Sequence, residues 1–91
     1  MYALAVNVKI ESGKEEEALQ ELHANVVPRV KQAPGLVAGY WMEPQNGFGY
    51  ALLIFESEEA ANAAKQMAES SPRPEFVTMN PPQVMEVIES A

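Results

Sequence analysis

Asn7 is the first residue whose type stands apart from its surroundings. It interrupts a run of apolar and small residues from Tyr2 to Ile10, and its amide offers both a donor and an acceptor. Aimed into a pocket between a sheet and its helices, it could hold a ligand oxygen. Facing solvent or an interface, it is satisfied by water or backbone. His23 is the only histidine, and histidine is the side-chain type that changes charge near neutral pH, as a general base must. It lies between Leu22 and Ala24, one position off an apolar stripe, which also suits a solvated helix edge. Trp41 and Tyr40 are neighbours, so on a strand they face opposite sides, one toward a pocket and the other toward an interface. Tyr50 and Phe48 carry the same choice. Core packing alone also accounts for each of these aromatics.

Other patterns point away from chemistry. Gly47 and Gly49 form a lone G-x-G with no helix after it, which is no nucleotide fingerprint. Glu15, Glu16 and Glu17 read as a solvated helix start, and Arg29 and Gln32 as helix-end capping or surface residues. There is no cysteine, hence no disulfide framework, thiolate nucleophile or iron–sulfur site, and one histidine makes no zinc or iron constellation. All thirteen acids are glutamate, so an Asp-rich calcium loop is missing. Thirteen acids against six scattered bases give a net charge of −7, the wrong sign for nucleic acid or an anionic membrane. No apolar run reaches the roughly 20 residues of a membrane span, and no signal-peptide pattern opens the chain. A cysteine-free chain fits the cytoplasm, which is the expected location, and no cofactor is expected.

The 91 residues, 47% of them hydrophobic, suit one domain spanning 1–91. Strict alternation over Met1 to Glu11 reads as a strand, with Tyr2, Leu4, Val6, Val8 and Ile10 on one face and Ala3, Ala5, Asn7 and Lys9 on the other. Ser12 with Glu15 has the form of a capping box. A helix follows, with Leu19, Leu22, Val26 and Val30 near helical spacing; Pro28 should kink or tighten its last turn, and Ala33-Pro34-Gly35 stops it. Leu36 to Met42 is a second strand, Glu43 to Gly47 a turn, and Phe48 to Phe55 a third strand that is apolar on both faces. Asn46-Gly47 marks the hairpin. Ser57 caps a second, alanine-rich helix. Four prolines between Ser70 and Pro82 argue against regular structure there; that segment suits a lid over a pocket or an arm around another subunit. Val84 to Glu89 is the last strand. The order strand, helix, strand, strand, helix, strand is that of an α+β, ferredoxin-like fold with a four-stranded antiparallel sheet and both helices on one face. The other face then stays apolar and uncovered, and a second copy of the chain is its expected cover.

Three segments carry a resemblance to a known family. Asn7-Val8-Lys9-Ile10 ends the first strand, and Lys31 to Leu36 (KQAPGL) leads into the second. Leu52 to Ala60 (LLIFESEEA) joins the third strand to the second helix. With them the chain, over nearly its whole length, resembles the dimeric α+β barrel proteins of the antibiotic biosynthesis monooxygenase type. That resemblance implies oxidation of a phenolic or quinol-type aromatic by dioxygen without metal or flavin, or a haem-degrading relative. It also implies an asparagine on the first strand, a tryptophan at the end of the third and a histidine nine residues later. Asn7 matches the first, whereas Phe55 and Ala64 occupy the other two. Alanine cannot ligate iron, which disfavours haem degradation. The expected site is therefore a pocket with Asn7, Trp41 and His23 as candidate catalytic groups and Tyr40, Tyr50, Phe55 and Ala64 as its lining. The expected partners are a second copy and an apolar aromatic molecule. A non-enzymatic binding or interaction module on the same fold is the alternative.

Overall fold

A computed structural model describes residues 1–91. Strand β1 (Tyr2–Ile10) leads to a long first helix of three pieces, α1 (Glu15–Glu21), a π-helical turn (Leu22–Val26) and α2 (Val27–Lys31). Strands β2 (Leu36–Gln45) and β3 (Phe48–Phe55) form a hairpin. Helix α3 (Glu58–Ser70) and the short strands β4 (Val77–Met79) and β5 (Gln83–Glu86) complete the chain. The sheet is antiparallel in the order β2-β3-β1-β4, with β5 also pairing β1. Treating β4 and β5 as one interrupted strand gives the βαββαβ order that the hydrophobic periods imply.

The hairpin turn needs only Asn46 and Gly47, both at positive φ (54° and 82°). This is the conformation that Asn-Gly tolerates best and that matches the twist of two adjacent strands. The strand before it runs to Gln45, three residues past the expected end, by accepting an irregular register between Met42 and Gln45; Pro44 can sit there without breaking a ladder bond. Ser57 caps α3 as its type suggests, its Oγ accepting from the Ala60 amide at 3.1 Å.

Three local expectations need amending. Ser12 caps nothing: the helix begins at Glu15 without a side-chain cap, and the Glu15 carboxylate instead accepts from the Gly13 amide at 3.0 Å. The final turn does tighten, the Gln32 and Ala33 amides donating three residues back to the Arg29 and Val30 carbonyls, but Pro28 comes with a change that the sequence does not announce. The helix widens into the π turn just before it, and the Val27 amide donates back to the Leu22 carbonyl, five residues away. That wider turn accommodates the missing proline donor and its ring. The 70–82 segment is not wholly irregular, because Val77–Met79 pairs with Val8–Ile10. Proline interrupts the last strand only at Pro81-Pro82, between β4 and β5.

Leu4, Leu53, Phe55 and Ala61 form the core. Ala61 is fully buried because alanine lets α3 approach the sheet closely. The first helix differs: none of its three pieces contributes a buried residue. It stands off the sheet.

Candidate functional site

The gap beneath the first helix is the site. A cavity of about 240 Å³ runs between the sheet, the first helix and α3 and continues to the Ser71–Pro74 turn. Hydrophobic residues make up 21 of its 29 lining positions, so an occupant is held mainly by burial of apolar surface. Leu19, Leu22 and Val26 roof it from the first helix, Val6, Ala51 and Leu53 floor it from the sheet, and Ala64 and Met67 wall it from α3.

Trp41 enters from β2, opposite Ala51. Its ring lies over Gly39, where a Cβ would come within 3.3 Å of the indole. Any side chain at that position would press on the ring, so the glycine sets how the indole lies. Polar groups gather at the margin: Glu21, Arg29, Ser71 and Arg73 all line the cavity. The Glu21 carboxylate accepts from Asn25 Nδ2 at 2.8 and 3.1 Å. Arg73 Nη1 donates to the Ala68 carbonyl at 3.1 Å and so helps to close the C-terminus of α3. No polar or charged residue is buried anywhere in the chain.

The structure brings together some of the residues singled out by sequence and separates others. Trp41, Phe55 and Ala64 line the cavity, and Tyr50 borders it. Asn7 is elsewhere. Strand alternation puts it with Ala3 and Ala5 on the face that carries no helix, opposite Tyr50, beside a shallow hollow that also includes Asn80 and Gln83. Its Oδ1 accepts from Asn80 Nδ2 at 2.6 Å and its carbonyl from the Asn80 amide at 2.9 Å, so the expectation that it points between sheet and helices is corrected. Tyr40 is corrected likewise: it pairs with Leu52 on the open face and is 59% exposed. His23 is exposed on the first helix and does not line the cavity. Arg29 and Arg73, read as surface residues or passed over, do line it. An unpaired arginine on a long helix was the available signal for the first; for the second, nothing local marked it.

No family model matches the sequence and no curated protein matches it, but solved structures do. The haem-degrading protein MhuD of Mycobacterium tuberculosis, with two haems in its active site, superposes with a TM-score of 0.69 at 20% identity, covering 98% of both chains. A dimeric ferredoxin-like protein from an uncultured marine organism gives 0.68 at 14% identity, over 100% of this chain and 98% of that one. SnoaB, a cofactor-independent oxygenase of Streptomyces nogalater, gives 0.64 at 14% identity, over 98% and 95%. Because one of these proteins holds haem, the donors available here bear on whether this cavity fits one. It offers no imidazole or thiolate; its donors are the thioethers of Met42, Met67 and Met79, the Glu21 carboxylate, the Ser71 hydroxyl and the bordering Tyr50. That set does not fit iron held by histidine or cysteine. What the superpositions establish is architecture: the chain has the ferredoxin-like α+β fold shared by these dimeric barrel proteins, cofactor-independent oxygenases and haem degraders.

Proposed function

We propose that two copies of the chain associate through their open sheet faces, and that each cavity binds a flat phenolic or quinol-type aromatic and lets it react with dioxygen. The observation that carries this reading is the apolar cavity under the first helix, with Trp41 at its wall. Such a site needs little acid–base machinery. A quinolate can pass an electron to dioxygen; recombination then places one oxygen atom on the ring, while the other leaves as water with the two quinol hydrogens. All the electrons come from the substrate. The protein's part is to orient the ring and exclude water. The likeness in fold to a cofactor-independent oxygenase supports the reading, and the row of exposed apolar residues on the other face supports the dimer.

A second reading, a binding module without a reaction, draws support from the absence of any buried polar group and from the position of Asn7 on the far face. One experiment separates the two. Trp41 is the only tryptophan, so quenching of its fluorescence by a dihydroxynaphthalene reports cavity binding directly, while an oxygen electrode follows turnover. Saturable quenching with protein-dependent oxygen uptake is the expected result. Quenching without uptake would leave only the binding module, and no quenching would remove both readings.

A further inference from the structure

The chain contains two arginines, Arg29 and Arg73, and four lysines. Both arginines line the apolar cavity, and none of the lysines does. Arg29 comes from the first helix and Arg73 from the turn after α3, so elements on two sides of the cavity deliver the same chemical group to it. Neither is neutralised. In a chain of thirteen glutamates, the one ion pair joins Lys14 to Glu17. The Arg29 side chain makes no hydrogen bond within the chain. Arg73 uses only Nη1, toward the carbonyls of Ala68 (3.1 Å) and Ser71 (3.5 Å). Guanidinium groups with free N–H edges at the margin of a hydrophobic cavity match a planar oxyanion. Glu21, also at the margin, is bonded by Asn25 and still bears negative charge, which weighs against a multiply charged group.

Building on the cavity reading above, we propose that the ligand is an aromatic monocarboxylate, with its ring among the apolar residues and its carboxylate held at the margin by Arg29 and Arg73. Charge then sets specificity: the apolar interior accepts many rings, and the arginines select those that end in a single carboxylate.

The test compares a hydroxynaphthoic acid with its methyl ester, which has the same ring without the charge, by quenching of Trp41 fluorescence in the full chain. The acid is expected to bind about tenfold more tightly than the ester at low ionic strength, as befits a charge-assisted hydrogen bond. Added salt weakens the acid and leaves the ester unchanged. Arg29→Gln should abolish the preference while keeping the ester's affinity, which also shows that the variant is folded. Because Arg73 closes the end of α3, Arg73→Lys is the milder companion and should reduce the preference without removing it. Equal binding of acid and ester by the unaltered chain overturns this proposal and leaves the cavity reading standing, as does a loss in Arg29→Gln that falls on both probes alike. If neither probe quenches, both fall together.

Discussion

Across the sheet, residues stand in rows, and successive rows face opposite ways. Gly39, Leu53, Leu4 and Val84 form one row; its two leucines are nearly sealed beneath α3. The next row, Tyr40, Leu52, Ala5 and Gln83, is as wide and nearly as apolar, yet Tyr40 and Leu52 remain 59% and 37% exposed. Met42, Tyr50 and Met85 share that face and that exposure. Only 8 of 91 residues are buried in the single chain, a thin core for this length, and strands with two apolar faces ask for two covers. The chain itself provides one cover in two qualities: α3 close-packed, the first helix raised over a cavity. In the dimer proposed above, the other cover is the second copy.

The largest effect that would test this contrast is on the closed face. Phe55 is fully buried beside Leu4 and Ala61, and Phe55→Ala should cost about 3–5 kcal/mol, read as a lower urea midpoint at unchanged slope. A cost below about 1 kcal/mol would mean that this face is as loosely held as the other. On the open face, Leu52→Glu should leave the single chain folded by circular dichroism but weaken self-association by about a hundredfold, since one buried unpaired charge opposes the whole interface. Sedimentation at micromolar concentration checks it: dimer for the unaltered chain, monomer for the variant. A monomeric unaltered chain would remove the need for a second cover.

The smallest effect concerns the end of the closed face. There Glu86, opposite it across the β1–β5 ladder, Glu58 at the start of α3 and some desolvation raise the Tyr2 phenol above its ordinary 10.0. Because the folded chain holds that proton more tightly than the unfolded one, the associated stability is present below the ordinary value and is lost as pH rises through the raised one. Ultraviolet titration of the phenolate should show Tyr2 moving back toward 10.0 in Glu86→Gln, and no movement would detach β5 from this assignment.

Much of the fold is legible from local sequence. Alternation gives β1, Asn46-Gly47 fixes the hairpin register, and Ser57 announces α3, each because the decisive interaction lies within a few residues. What is hidden depends on distant partners. Val77–Met79 becomes a strand only because Val8–Ile10 offers it a ladder. Alternation groups Asn7 with Ala3 and Ala5, but one strand cannot say which of its faces the helices will cover. Arg29 is hidden for another reason: it stands near the end of its helix, where an arginine reads as a cap for the last carbonyls or as surface, and its place at the cavity depends on what packs opposite. Arg73 sits in a proline-rich stretch that reads only as loop, and its place at the cavity depends on how α3 ends.

The prolines of the sheet have a bearing on how large an assembly can grow. The two outermost strands are β2 at one margin and the β4–β5 pair at the other. Pro44 lies in the first, and Pro81 and Pro82 interrupt the second. A strand edge is a template on which another chain can zip, and from there a fibre can extend without limit; a residue lacking an amide hydrogen spoils that template. With both margins spoiled, the remaining sticky surface is flat and lies on one side only. In the proposed dimer, pairing of that surface with its like would use it up in both partners, so association would end at a closed, finite particle.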